Sequence, residues 1–150
     1  MQDKYEEFQA WLIDMDDALE RFSSALPDDV RSGLDYSPES LNVLEAWLLE
    51  RYEGVEQTRP RSEAKTIDGA ARYVGEVFRK HLGGGWKIDY SNKKNVFFGL
   101  PQLVEMAGQE VQSCPLTLVT ASTHRRVGNY IRMVFDNDMK AASAKKTPGA

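Results

Sequence analysis

An apolar residue recurs every three or four positions through the first 26 residues, and this stripe constrains the fold more than any other feature of the sequence. Its members are Tyr5, Phe8, Leu12, Met15, Leu19, Phe22 and Leu26. Because a helix turns once in about 3.6 residues, this spacing places all of them on one face. The stripe predicts a helix over residues 3–26, ended by Pro27. Three heptads are short for an independent coiled coil, so the spacing favours packing on the chain's own core over pairing with a partner helix.

Acidic residues occupy the other side of this helix and the segment after it: Asp14, Asp16, Asp17, Glu20, Asp28 and Asp29. They belong to a wider asymmetry of charge. Residues 1–60 contain 15 acidic and 5 basic residues, whereas residues 61–150 contain 8 acidic and 14 basic residues, which gives −10 and +6 and the net charge of −4. The split predicts an acidic and a basic face on one body, or two halves that attract each other inside the fold.

Two more helices are expected before the sheet. Ser37 as N-cap and Pro38 at the first helical position start the second one, which ends near Gly54. The third covers residues 66–82 and ends at three consecutive glycines, residues 83–85. Because phosphate-binding loops place their glycines before a helix, this stretch is interpreted as a helix-to-strand hinge.

A small antiparallel sheet follows the hinge. Residues 86–90 alternate between apolar and polar side chains, and residues 96–100 form a second apolar run after a polar turn, which together predict a hairpin. Residues 102–114 supply a third short strand and a loop. In the hinge itself, Gly83 or Gly84 is expected to adopt a positive φ.

The segment 115–127 is compatible with a strand or with a helix. The helix is favoured because Pro115 suits its first position and basic residues suit its last turn. Those basic residues are His124, Arg125 and Arg126. In that interpretation Gly128 stops the helix and Asn129 caps a final one.

The elements together predict an α+β fold with three N-terminal helices, a small antiparallel sheet of a hairpin plus a third strand, and C-terminal helices. Residues 1–140 are expected to form a single domain, and residues 141–150 a flexible polar tail.

The segment from the third helix to the first strand resembles a motif of a bacterial family of unknown function, G-A-x-x-G-E-V-x-R-x-x-L-G-G-x-W. The residues that match in type are Gly69, Ala70, Gly75, Glu76, Val77, Arg79, Leu82, Gly83, Gly84 and Trp86, with Gly69 and Ala70 two positions further from Gly75 than the motif places them. The wider resemblance covers about residues 34 to 135, and the chain departs from the family in having a third glycine, Gly85. It implies an α+β fold of helices against a small antiparallel sheet and transfers no catalytic residue.

The composition argues against several kinds of site. The single cysteine, Cys114, has no partner for an internal disulfide, and two histidines with one cysteine make a zinc site improbable. The sequence predicts no metal, no cofactor and no catalytic residues. No apolar run reaches the length of a membrane span, and the acidic N-terminus lacks the features of a signal peptide, so a cytoplasmic location without a membrane partner is expected.

These features favour a small protein-binding module, and the most concrete version is an immunity or inhibitor protein that neutralises a basic bacterial toxin domain. Acidic surfaces accelerate encounters with basic partners. The candidate binding residues are Asp14, Asp16, Asp17, Glu20, Asp28, Asp29, Arg125, Arg126 and Arg132.

Two alternatives belong to other classes. An enzyme would rest on Glu76, His81 and His124, with Asp89 and Arg125 nearby in the sequence, although Glu76 is also explained by a solvated ladder with Arg72 and Lys80. Weak nucleic-acid binding would use the basic second half with aromatic residues, but the sequence pI of about 5.2 disfavours it. Those aromatic residues are Trp86, Tyr90, Phe97 and Phe98.

Overall fold

Helices dominate the fold. The computed structural model describes residues 2–145, with the side chains of residues 3–144. Within this part, the α helices are α1 (Gln2–Ile13), α2 (Met15–Ser24), α3 (Asp28–Arg31), α4 (Ser40–Arg51), α5 (Ala64–Leu82), α6 (Pro115–Arg125) and α7 (Tyr130–Lys145). The strands are β1 (Gly85–Lys87) and β2 (Gln102–Val104), and two 3-10 turns, Val55–Thr58 and Arg61–Glu63, lie between α4 and α5. The chain is thus broadly α+β, as the sequence predicts.

The core is built around α5. Its side chains Val74, Val77 and Phe78 are completely buried, and they belong to the same apolar cluster as the buried leucines of α4. Phe135 of α7 meets Phe78 edge-on, with ring centroids 5.2 Å apart. The helix can lie at the centre because its apolar residues recur at helical spacing, and this central helix then fixes where α2 and α6 pack.

The expected single helix over residues 3–26 is two helices, with Asp14 between them at φ −79° and ψ 0°. Five α helices therefore precede the sheet in the described part of the chain, and the expected number of three is wrong. The stripe itself faces the core, since five of its seven members are buried. The exceptions are Leu12, which is half-buried, and Tyr5, which is 39% exposed.

The expected hairpin is also wrong. Strand β1 pairs antiparallel with β2, and Trp86 lies opposite Leu103. The second strand of the sheet thus comes from residues 102–114, where we expected a third strand, and Leu103 forms only an isolated bridge to Ser113 beyond it. Residues 96–100 form turns instead of a strand.

Short polar side chains explain these turns. The Asp89 carboxylate accepts hydrogen bonds from the backbone N–H groups of Ser91 and Asn92, at 2.8 and 3.0 Å. The Asn95 side-chain oxygen accepts one from the N–H of Phe97 at 2.9 Å. Because these bonds offer the backbone an alternative to strand pairing, they override the apolar pattern of residues 96–100.

These bonds give the turn a predictable response to acid. They hold the pKa of Asp89 at about 2, below its ordinary value of 3.8. A lowered carboxyl pKa stabilises the fold at a pH above the unfolded value, and that stabilisation is lost as the pH falls through the folded value. We expect the amide signals of Ser91 and Asn92 in the folded protein to shift together in NMR spectra, with a midpoint at the folded pKa of about 2. An Asp89→Asn variant should lack this transition, and a variant that keeps it would assign the transition to another group.

The C-terminal segment confirms the helical alternative for residues 115–127, with Pro115 as the first residue of α6. The expected stop at Gly128 is wrong, because Arg126 already adopts the left-handed conformation, at φ 56°, that ends the helix. The first N–H groups of α7 are bound by the carboxylate of Glu45, on α4, which replaces the expected cap at Asn129. Helix α7 continues to Lys145, into the segment expected as a tail, and residues 146–150 lie outside the described part of the chain.

Candidate binding surface

Three carboxylates stand on the outer side of α2. Asp16, Asp17 and Glu20 are exposed, since the opposite side of the helix carries the buried stripe. Among the described residues, no cation lies close enough to any of the three to form an ion pair. These three residues, named here the acidic face, therefore present charge to solvent.

The other acidic candidates have partners close by. Asp14 accepts a hydrogen bond of 2.6 Å from Arg21, and Asp28 forms an ion pair with Arg31. The side chain of Asp29 accepts the N–H of Val30 at 3.0 Å, at the start of the short helix α3. The structure thus separates these three carboxylates, which have partners nearby in the chain, from the acidic face.

Few ion pairs connect the two oppositely charged halves. Within residues 2–145, a single salt bridge joins a base of the second half to an acid of the first, from Arg132 to Glu39 at 3.7 Å. Most other basic side chains that form ion pairs bind acids nearby in the sequence, such as Arg79 with Glu76 at 2.9 Å. Ion pairing between the two halves, one of the two interpretations of the charge split, therefore balances little of their opposite charge.

The basic candidate residues differ in the contacts that they make within the fold. Arg126 donates to the backbone oxygens of Tyr52 and Leu49, at 2.7 and 2.9 Å, so it holds the C-terminal end of α4. Arg132 binds Asp136 at 2.9 Å. Arg125 is exposed, with its guanidinium 5.0 Å from the centre of the Tyr130 ring.

A groove runs between α2 and α5 beside the acidic face. It encloses about 530 Å³, and its apolar lining includes Ala18 and Phe22 of α2. Charged side chains stand around it: Asp14, Arg21, Lys65 and Asp68. Gly69 allows α2 and α5 to approach closely, since a Cβ atom there would be 2.4 Å from a ring carbon of Phe22. The groove was not predicted from the sequence, although the small residues Ala18 and Gly69 on two amphipathic helices were a signal of close approach.

The G-E-V-x-R-x-x-L-G-G-x-W segment forms one connected cluster. The Trp86 indole N–H donates to Glu76 at 3.0 Å, and Arg79 binds Glu76 at 2.9 Å and the backbone oxygen of Gly84 at 3.3 Å. Gly75 leaves room for the indole, since a Cβ there would lie 2.2 Å from it. The residues of this motif thus connect α5 to β1 through hydrogen bonds and close packing.

This cluster also replaces the ladder expected along α5. Arg72 is buried, and it binds Asp68 at 2.7 Å and the backbone oxygen of Trp11 at 2.8 Å, so it does not stand on a solvated face. Glu76 pairs with Arg79 instead of with Arg72 or Lys80.

The residues of the enzyme alternative have separate structural partners. Glu76 is held by Trp86 and Arg79, and His81 Nε2 lies 3.1 Å from the backbone oxygen of Tyr36. Asp89 holds its turn, and His124 is exposed in the last turn of α6. None of these contacts is a hydrogen bond between a nucleophile and a base, the arrangement that nucleophilic catalysis requires.

Comparisons of the chain with models of protein families, with curated proteins and with solved structures found no match. None of the helices in residues 2–145 is long and apolar enough to cross a bilayer. In the same part of the chain, no cluster of three or more His, Cys, Asp or Glu side chains is arranged to hold a metal ion.

Proposed function

We propose that the protein is a small binding module that docks a basic protein through the acidic face. The observation that carries this proposal is that Asp16, Asp17 and Glu20 are exposed and, among the described residues, without ion pairs, while the apolar side of α2 is used inside the fold. Like charges that are kept together without ion pairs repel one another, so these carboxylates attract a basic surface and accelerate its encounter with the protein.

The most specific form of the proposal is an immunity or inhibitor protein that acts in the cytoplasm and neutralises a basic bacterial toxin domain. Such a protein needs a charged docking surface on a stable scaffold and needs no catalytic group. We further propose that the chain belongs to the bacterial family that it resembles. The support for this is that Glu76, Arg79 and Trp86 of the shared motif contact one another, so their spacing has a structural purpose.

Capture of proteins from a lysate of the native cell tests the proposal. The full chain is immobilised in three forms: the wild type, the acidic-face variant Asp16→Lys/Asp17→Lys/Glu20→Lys, and a control variant Glu50→Lys/Glu53→Lys/Glu56→Lys. Both variants change the net charge by the same amount, and all six positions are exposed. Bound proteins are identified by mass spectrometry.

We expect a basic protein to bind the wild type and the control variant and to be lost from the acidic-face variant. The toxin form of the proposal further expects that this protein arrests growth when it is expressed alone and not when it is expressed with the chain. Identical protein sets on all three columns would contradict a role for the acidic face.

A further inference from the structure

The groove between α2 and α5 already holds a guanidinium. Arg21 contacts Asp14 with both terminal nitrogens, at 2.6 and 3.4 Å. The hydrogen bond to Asp14, with the charges of Asp17 and Asp68, raises the pKa of Arg21. The guanidinium therefore lies within the electrostatic influence of three carboxylates, those of Asp14, Asp17 and Asp68.

Arg21 is only loosely held there. Its side chain is 64% exposed, and that of Asp14 is 41% exposed. Exposed ion pairs contribute little net free energy because water solvates both ions when they separate. Another guanidinium can therefore replace Arg21 at small cost. Once Arg21 has turned toward solvent, Asp14 keeps no ion pair among the described residues, whereas Asp68 stays bound to Arg72 at 2.7 Å and Lys65 is exposed in the lining.

We propose that the groove binds an arginine side chain of the basic partner, which displaces Arg21 from Asp14. This role rests on the proposed function and adds a specific anchor to it. The planar guanidinium makes the two-point contact with Asp14 that Arg21 now makes, and the aliphatic part of the side chain packs on Ala18 and Phe22. A lysine ammonium lacks the paired donors, so the groove selects arginine over lysine.

Titration with N-acetyl-arginine amide, followed by NMR on the ¹⁵N-labelled full chain, tests this anchor without the partner. The reporters are the backbone amides of Ala18 and Gly69, which line the groove. We expect both signals to shift in the wild type. The Arg21→Ala variant should bind about threefold more tightly, because it removes the competing guanidinium, and Asp14→Asn should bind about threefold more weakly. Thermal unfolding of both variants checks that the fold is intact.

Three results would overturn the anchor: no shift of the two amides in Arg21→Ala, equal affinity of Arg21→Ala and Asp14→Asn, or an equal response to N-acetyl-lysine amide. The outcome of this titration can be distinguished from the outcome of the capture experiment that tests the proposed function. A partner captured through the acidic face, together with any of these results, would reject the anchor alone. Groove shifts as expected, with no basic protein captured, would reject the proposed function alone.

Discussion

Replacing Glu45 by alanine should lower the free energy of unfolding by about 3 kcal/mol. Its two carboxylate oxygens accept the N–H groups of Tyr130 and Ile131, at 3.1 and 2.9 Å, where α7 begins. Glu45 and Ile131 are completely buried and Tyr130 is half-buried, so water cannot take over the bond to Ile131. Each buried donor left without a partner costs about 1–3 kcal/mol. Thermal unfolding should show a melting temperature lowered by roughly 10 °C.

A substitution in the same helix provides the control. Glu50 is an exposed residue of α4, and Glu50→Ala should change the stability by no more than about 0.5 kcal/mol. Glu45→Gln should fall between the two, because its amide retains one acceptor oxygen. If Glu45→Ala melts at the temperature of Glu50→Ala, the assignment of Glu45 as the cap of α7 is wrong.

Replacing Gly84 by valine should cost about 3 kcal/mol. The residue has φ +85°, a conformation that β-branched residues fit poorly, and a Cβ there would lie 2.6 Å from the backbone oxygen of Val104. The carbonyl of a paired strand cannot move without breaking the sheet. Because the backbone strain and the clash with Val104 both act at Gly84, chemical denaturation should show a larger loss of stability for Gly84→Val than for a valine at either neighbouring glycine of the hinge.

The neighbouring glycines separate these two causes. Gly83 has φ +75°, and a Cβ there would meet no atom of the described residues within 4 Å, so Gly83→Val should cost only the backbone strain, about 1–2 kcal/mol. Gly85 lies in β1, has equally open surroundings in residues 2–145 and has no positive φ, so Gly85→Val should be nearly neutral. An equal melting temperature for all three variants would contradict the interpretation of the hinge.

Several features that depend on neighbouring residues were predictable from the sequence. Pro115 at the start of α6 and the basic residues at its end indicated a helix against the β-branched composition of the segment, and the structure confirms it. Both Gly83 and Gly84 have the positive φ expected in the hinge. The apolar stripe likewise predicted correctly which side of α2 is buried. It therefore also predicted that Asp16, Asp17 and Glu20, on the other side, are exposed.

Features that depend on distant residues were not predictable. Glu45 caps a helix that begins 85 residues later in the chain, and Arg126 ends α6 where Gly128 was expected because its side chain also holds the end of α4. The groove is a third case, since it forms only when α2 and α5 pack together.

One local feature was missed as well. In residues 96–100 the apolar pattern indicated a strand, yet the Asn95 side chain accepts a hydrogen bond from the N–H of Phe97, two residues away, and forms a turn.

Association kinetics with the captured basic protein, measured at low and at physiological ionic strength, test the role of the acidic face most directly. We predict that Asp16→Lys/Asp17→Lys/Glu20→Lys slows association at low salt by about tenfold and weakens its salt dependence, because surface charges act mainly on the encounter. The control variant Glu50→Lys/Glu53→Lys/Glu56→Lys should associate at nearly the rate of the wild type. An association rate that is unchanged in the acidic-face variant, with the same dependence on salt, would show that this side of α2 is only a solvated surface.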